Sequence, residues 1–453
     1  MQEQNSIIVA PFPPLTHPLE FIAPASPDKS LTHRAVMLAS MASGVSEIVN
    51  PLDGDDCSAT RSVFQNLGVE ISENQTQDGK KSWTVHSPGM DRWRSPMVEQ
   101  DLGNSGTSAR LLTGLFAGVP GLTVTLTGDE SLRSRPMKRV VEPLRNMGAK
   151  ISGPSDGATL KLTITGSSIK STTHYLGTPS AQIKSALLLA GISAHGETLI
   201  DIPSGGRDHT EIMLIALGAM IRRTWRFGRE LISIVGPWRP KNFHCEIPTD
   251  PSSVAFFGAL AALHPGMQCR AHRVLQNPTR IGFFKVLSRM GVEVVWSDVD
   301  KSHKYLDETV ANLMVYRAAD RHLKAINIHQ DDIAAMIDEI PALAVLCSFA
   351  EGTSVISGLA ELRVKESDRL SAIESLLKAA GIDVRVEEDS LVITGQTSAS
   401  AFNFSSKDHR MVMSAMILAT RAAAPSTISG LSWIRTSFPL FLEAFQNIKS
   451  RIL

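Results

Sequence analysis

The sequence is poor in the features that crosslink a protein, anchor it in a membrane or hold a metal. Its 453 residues include only four cysteines, Cys57, Cys245, Cys269 and Cys347, and none forms a CxxC pair. Cysteines so far apart favour free thiols in a reducing compartment. Nowhere do about 18 apolar residues follow one another, the length that a membrane span needs. The start, MQEQN, lacks the basic and apolar segments of a signal peptide, so we expect a cytoplasmic protein.

Net charge and cofactor motifs are lacking as well. Lys+Arg and Asp+Glu both total 45, so the formal net charge is zero and no global field attracts nucleic acid or an anionic membrane. The sequence has no GxxxxGK[ST] phosphate loop and no strand-flanked GxGxxG. The acidic clusters at 53–56 and 331–339 lack EF-hand spacing. We expect no metal, no cofactor, and no nucleic-acid or membrane partner.

One local pattern is repeated six times along the chain. A polar, cap-like stretch opens an apolar run of helical length, and a Gly or Pro ends the run before a β-like segment. The openings lie at 28–30, 104–107, 180–182, 250–253, 338–341 and 408–410. The breaks, 70 to 86 residues apart, are Gly44, Gly121, Gly196, Gly266, Gly352 and Pro425. A repeat of this length is a whole folding unit, larger than a solenoid step.

Six such units predict an α/β protein of two domains with three units each. A chain of 453 residues is too long for one ordinary core. The first helices, such as ALLLA at 186–190, are apolar nearly all round, which predicts that they are buried inside a domain. The change of domain is expected near 244–250, where Pro248 precedes the fourth opening.

Basic residues gather at the openings and in the loops after the breaks. Lys29 follows the first opening residue, Arg135 and Arg207 lie in loops, and ELRVKESDR at 361–369 is the densest charge run. Helix N-termini attract anions, and guanidinium groups suit carboxylate and phosphate. A charge run is also typical of a solvated helix face, and the Gly–Ser loop at 103–107 is also typical of a plain cap. Both alternatives stay open on composition alone.

The motifs taken together resemble those of the EPSP synthase family of enolpyruvyl transferases. They stand in the family's order: DKSLTHR at 28–34, LGNSGT at 102–107, RPM at 135–137, SAQIKS at 180–185, DEIP at 338–341, LRVKESDR at 362–369, DHR at 408–410 and SFP at 437–439. The resemblance implies the inside-out α/β prism, a two-domain fold of six βαβαββ repeats, three per domain, with the active site in the cleft between domains. It places residues 27–247 in an inserted first domain and residues 1–26 with 248–453 in a discontinuous second domain. It also implies a monomer without a cofactor.

The resemblance further implies a reaction and its residues. Family members transfer the enolpyruvyl group of phosphoenolpyruvate to the 5-hydroxyl of shikimate 3-phosphate, through a tetrahedral intermediate, in aromatic amino acid biosynthesis. Proton transfer is implied for Lys29, Asp338 and Glu366, with the division of roles left open. The residues implied in binding shikimate 3-phosphate are Lys29, Ser30, Arg34, Ser180, Ala181, Gln182, Arg207, Asp338 and Lys365. Those implied in binding phosphoenolpyruvate are Lys29, Gly106, Arg135, Gln182, Arg369 and Arg410.

Three residues depart from the family pattern. Pro27 stands where the family usually has Gly, Ala181 where one branch has a second Ser, and Thr436 where that branch has a phosphate-binding Lys, which leaves the role of Arg435 open. Because Gly106 is kept, we expect sensitivity to glyphosate.

Two rival functions stay open. One is the sister transferase acting on a UDP-sugar, which would need Cys or Asp in the loop at 130–135. The other is an inactive binding protein, which would have lost the acid, base and Arg residues.

Overall fold

Six small β-sheets, each packed on buried helices, organise the computed structural model, which describes residues 5–452. The chain divides into two units. The discontinuous unit comprises residues 5–26, Thr249–Asp300 and 309–452, and the inserted unit comprises Pro27–Pro248 and Lys301–Glu308. The sequence analysis predicts residues 301–308 in the discontinuous domain. Here the short helix His303–Tyr305 packs on the strand His244–Glu246 of the inserted unit.

The inserted unit contains three four-stranded sheets of one design. In each sheet a short strand lies parallel to the second strand, and the remaining neighbours are antiparallel. The strands, in sheet order, are His244–Glu246, Ser43–Val49, Lys81–Pro88 and Glu70–Gln75; Gln100–Asp101, Thr123–Thr127, Leu162–Thr165 and Lys150–Ser152; and Thr173–Tyr175, Gly196–Pro203, Arg229–Gly236 and Ile221–Arg226.

The discontinuous unit repeats this design twice and then varies it. Its four-stranded sheets are Glu293–Asp300, Val310–Tyr316, Met267–Leu275 and Leu19–Ile22; and Asn327–Ile328, Thr353–Ile356, Ser390–Thr394 and Asp383–Glu387. Its third sheet has three strands, Ser6–Val9, Ser426–Ser429 and Asn403–Ser405. Ser6–Val9 pairs antiparallel with Ser426–Ser429, a position that a later strand of the same repeat fills elsewhere. The N-terminal segment therefore completes the sixth repeat, which ends in the helix Phe441–Ser450 instead of a hairpin.

The helices alternate with these strands along the chain. In the inserted unit they are Lys29–Met41, Asp55–Asn66, Met90–Arg92, Gly106–Ala117, Glu130–Ser134, Lys138–Asn146, Pro154–Gly157, Ala181–Gly191, His209–Ala216 and His303–Tyr305. In the discontinuous unit they are Pro251–Leu263, Gly282–Arg289, Gln330–Ile333, Ile340–Cys347, Ala360–Val364, Arg369–Ala379, His409–Ala419, Leu431–Thr436 and Phe441–Ser450. No helix between residues 5 and 452 is long and apolar enough to cross a membrane.

The six polar openings are the N-termini of the six central helices. Five carry a side-chain cap: the Asp28 carboxylate, for example, accepts from the Leu31 N–H at 2.8 Å, and Asp250 accepts from Ser252 N–H at 2.8 Å. The helix Ile340–Cys347 has no side-chain cap and instead places a proline in its first turn, where no N–H partner is needed. These helices are buried almost throughout, and Pro251–Leu263 is buried at every position. Partly exposed residues remain in the first turns of three of them, at Lys29 and Ser30, at Thr107, and at Ala181 and Gln182.

Candidate active site

A buried arginine gathers three carboxylates in the discontinuous unit. Arg369 is 1 % exposed and donates through Nε to Asp408 at 2.7 Å, through Nη1 to Asp338 at 3.1 Å and through Nη2 to Glu366 at 2.6 Å. Although burial by itself lowers the pKa of Arg369, the three carboxylates raise that pKa above its ordinary value. The guanidinium is thus always charged and holds Asp338 and Glu366 in fixed positions.

Two further cations lie near the Asp338 carboxylate. Lys365 Nζ lies 3.6 Å from Asp338 Oδ1, and Arg410 Nη2 lies 3.8 Å from Asp338 Oδ2. Arg410 also donates to the Asp338 main-chain carbonyl at 3.0 Å. The structure therefore brings together all five residues predicted for this part of the chain, Asp338, Lys365, Glu366, Arg369 and Arg410. They come from the turn before one helix, the loop and first turn of a second, and the first turn of a third.

In the inserted unit, Lys29 begins the first central helix and pairs with a carboxylate that the sequence reasoning had not given a role. Lys29 Nζ lies 3.0 Å from Asp56 Oδ2, and the Lys29 side chain is 16 % exposed. Asp56 lies in the first turn of Asp55–Asn66, where an acidic side chain interacts favourably with the helix dipole. The ion pair orients the Lys29 ammonium group. Ser30 is the next residue in the same helical turn.

Arg34 has an internal role that the sequence did not reveal. Its side chain is 5 % exposed and donates to the Thr210 hydroxyl at 2.7 Å, the Ser185 hydroxyl at 2.9 Å and the Ser30 carbonyl at 3.0 Å. It therefore ties the first central helix to the helices Ala181–Gly191 and His209–Ala216. Its predicted contact with shikimate 3-phosphate stays a prediction, alongside this structural function.

The turn at Gly106 is surrounded by predicted residues and by one that was missed. Arg110 is 3 % exposed and donates to Gln182 Oε1 at 2.7 Å and to the Gly106 carbonyl at 3.3 Å. Gln182 in turn donates to the Thr107 hydroxyl at 3.2 Å. Arg135 donates to Asn104 Oδ1. A charged residue four positions after Gly106, within an apolar helix, was the available signal for Arg110.

Gly106 leaves room for two arginine side chains. A Cβ atom at this position would lie 2.7 Å from Arg110 Nη1 and 2.9 Å from Arg135 Nη1, closer than side chains tolerate. The absence of a side chain lets two guanidinium groups approach the first turn of Gly106–Ala117. Two cations thus lie close to a helix N-terminus, a combination that suits a phosphate or a carboxylate.

The remaining predicted residues lie in loops and first turns of their units. Ser180 caps Ala181–Gly191 by accepting from Ile183 N–H at 3.5 Å, and Ala181 is the first residue of that helix. Arg207 is half-buried in the loop before His209–Ala216. Thr436 donates to the Trp433 carbonyl, and Arg435 beside it is exposed. Within residues 5–452, no group of three or more His, Cys, Asp or Glu side chains is arranged to hold a metal.

Comparison with known proteins assigns this chain to a family. A family model described as EPSP synthase (3-phosphoshikimate 1-carboxyvinyltransferase) matches residues 16–445. A 3-phosphoshikimate 1-carboxyvinyltransferase of Persephonella marina is 41 % identical over 424 residues, 93 % of this chain and 95 % of the relative. One of Halorhodospira halophila is 42 % identical over 423 residues, covering 93 % of this chain and 92 % of that one.

A solved structure gives the same result. The EPSP synthase of Acinetobacter baumannii superimposes with a TM-score of 0.81 at 34 % identity, covering 98 % of each chain. The repeated sheets and buried helices thus define the two-domain α/β class that the sequence predicted. The chain belongs to the EPSP synthase family, and the predicted resemblance is confirmed.

Proposed function

We propose that this protein transfers the enolpyruvyl group of phosphoenolpyruvate to the 5-hydroxyl of shikimate 3-phosphate. The new bond joins the hydroxyl oxygen to C2, while C3 gains a proton. Loss of that proton and cleavage of the C2–O bond to phosphate then give the product and phosphate. The reaction needs cations for two polyanionic substrates, and groups that move one proton from the hydroxyl and another to and from C3.

One observation carries the proposal: the carboxylate of Asp338 lies within 3.1 to 3.8 Å of Arg369, Lys365 and Arg410. Three cations therefore converge on one half-buried carboxylate, so side chains that suit anionic substrates lie beside a group able to move a proton. Arg369 and Arg410 are assigned to phosphoenolpyruvate, and Lys365 and Asp338 to shikimate 3-phosphate. Asp338, Glu366 and Lys29 are assigned the proton transfers.

The inserted unit supplies the remaining proposed contacts to both substrates. Gly106, Arg135 and Gln182 are assigned to phosphoenolpyruvate, because the Gly106 turn offers helix N–H groups beside two guanidinium groups. Gln182 is assigned to both substrates, and its amide is held by Arg110 Nη1 at 2.7 Å. At the first opening, Lys29, Ser30 and Arg34 are assigned to shikimate 3-phosphate. At the third opening and in the loop that follows, so are Ser180, Ala181 through its backbone, and Arg207.

The test is phosphate release from the purified protein, measured with both substrates and with each one omitted. We expect release only when both are present, and none when UDP-N-acetylglucosamine replaces shikimate 3-phosphate. Turnover with the UDP-sugar would assign the chain to the sister activity, and no turnover with either acceptor would contradict the proposal. Gel filtration tests the monomeric state that we propose, and cell fractionation tests the cytoplasmic location.

A further inference from the structure

A line of four buried polar side chains crosses three helices of the inserted unit. His33 Nδ1 lies 2.8 Å from Thr60 Oγ1, Thr60 Oγ1 lies 2.6 Å from Ser108 Oγ, and Ser108 Oγ lies 2.7 Å from Ser105 Oγ. None of the four residues is exposed to solvent. We call this line the polar seam.

The two ends of the polar seam lie beside proposed binding residues. His33 follows Lys29 by one helical turn within Lys29–Met41 and directly precedes Arg34. At the other end, Ser105 is the N-cap of Gly106–Ala117 and accepts from the Ser108 N–H at 3.2 Å. The seam therefore connects the helix that carries Lys29 to the turn that carries Gly106.

Thr60 is the central link of the polar seam, because its hydroxyl contacts His33 on one neighbouring helix and Ser108 on the other. It lies on Asp55–Asn66, the helix that also carries Asp56, the ion-pair partner of Lys29. Without the Thr60 hydroxyl, Ser108 would keep its bond to Ser105, but His33 would lose the partner of its Nδ1. Its Nε2 is buried and bonds to no other group in residues 5–452. Burial, together with Lys29 and Arg34, lowers the pKa of His33 well below the ordinary value, so the imidazole is neutral.

We propose that Thr60 is a positioning residue that holds the Gly106 turn in register with Lys29 and thereby sets the affinity for phosphoenolpyruvate. This inference rests on the proposed assignment of Gly106 and Lys29 to that substrate. Buried hydrogen bonds resist small displacements because each lost bond leaves a polar atom without water. The hydroxyl would act by keeping two anion-binding groups at a fixed spacing, and it would not touch the substrate.

The test compares Thr60→Val with a matched control on the same bundle of helices. Thr113 is equally buried, and among the described residues its hydroxyl bonds only to the Ala109 carbonyl of its own helix, at 2.6 Å. Thr113→Val therefore makes the same isosteric change without breaking a contact between helices. Initial rates of phosphate release are measured with each substrate varied at a saturating level of the other.

We expect Thr60→Val to release the Gly106 turn, which is assigned to phosphoenolpyruvate only. The KM for phosphoenolpyruvate should rise about tenfold, the effect of roughly one lost hydrogen bond, with less than about a twofold change for shikimate 3-phosphate. Thr113→Val should change neither value, and Thr60→Ser, which keeps the hydroxyl, should restore the KM for phosphoenolpyruvate. Ser108→Ala removes the other end of the same bond and serves if Thr60→Val does not fold.

Equal KM values in Thr60→Val and Thr113→Val would overturn the inference, as would a parallel rise for both substrates. A wild-type protein that releases no phosphate would instead overturn the proposed function, before any variant is compared. The two failures are therefore distinguished by the first measurement.

Discussion

The buried ion pair between Lys184 and Glu211 allows a quantitative prediction for the Lys184→Met variant. Lys184 Nζ lies 2.5 Å from Glu211 Oε1 and 3.6 Å from Glu230 Oε2, and the side chains of Lys184 and Glu211 are 0 % exposed. Glu230 keeps a second cation, because Arg223 Nε lies 2.6 Å away. Among the described residues only Lys184 lies within ion-pair distance of Glu211, and Arg223 acts on it from farther away, so removing Lys184 leaves this buried carboxylate without a close counter-charge.

The size of the effect follows from the cost of a buried charge without a partner. Breaking one side of such a pair typically destabilises a protein by about 3–5 kcal/mol. Lys184→Met should therefore lower the free energy of unfolding of the inserted unit by about that amount. Adding Glu211→Leu should recover more than about half of the loss, since two apolar groups of similar volume replace the pair.

The assay is urea unfolding followed by tryptophan fluorescence, with Lys378→Met as the control. Lys378 lies 2.7 Å from Glu374 one turn away, and its side chain is 59 % exposed. Exposed pairs of this kind contribute about 0.3–0.5 kcal/mol, so the control should unfold almost as the wild type does. A loss below about 1 kcal/mol for Lys184→Met, or no recovery in the double variant, would refute the reasoning.

Four further predictions test the site and the pH dependence of folding. Gly106→Ala should displace Arg110 and Arg135, whose nitrogens lie 2.7 and 2.9 Å from the new Cβ, and so raise the KM for phosphoenolpyruvate; an unchanged KM would contradict the packing argument. The unsubstituted chain should be inhibited by micromolar glyphosate in competition with phosphoenolpyruvate, and full activity at millimolar inhibitor would contradict this. Lys29→Met should lower kcat by at least about 10²-fold if the ammonium acts on developing charge, and near-normal turnover would exclude that role. Burial, followed by Arg421 and Arg317, lowers the pKa of His264 to about 3, so the unfolded chain binds the extra proton between pH 6.5 and 3. Stability should therefore fall as pH drops through this window, by up to about 1.4 kcal/mol per unit, and His264→Gln should flatten the slope measured by acid titration of urea midpoints.

Local motifs carried much of the fold prediction. Five of the six polar openings were readable because a cap needs one side-chain oxygen next to a few N–H groups, as with Asp28 and Leu31 or Ser105 and Ser108. The breaks at Gly44, Gly121, Gly196, Gly266 and Gly352 were readable because each has a positive φ, between 86° and 111°. Both are short-range requirements and leave a mark at a fixed place in the sequence.

Contacts between distant segments left no such mark. The strand Ser6–Val9 completes the last sheet through pairing with Ser426–Ser429, and the pattern alone could not say which domain the N-terminal segment joins. The same holds for the bond between Arg110 and Gln182, 72 residues apart, and for that between Arg34 and Thr210, 176 residues apart. An arginine in an apolar helix signals burial, but its partner depends on which helices pack together.

The sequence by itself determined the six-unit organisation, the polar helix openings and the motif residues that identify the family. These depend on the order of residue types within a few helical turns, where capping, glycine conformation and apolar runs act. The tertiary structure alone decided how the charges are neutralised. Lys29 pairs with Asp56, Lys184 pairs with Glu211, and Arg369 bonds to three carboxylates. The physical reason is that a buried charge must find its counter-charge in space, and only chain packing brings the two together.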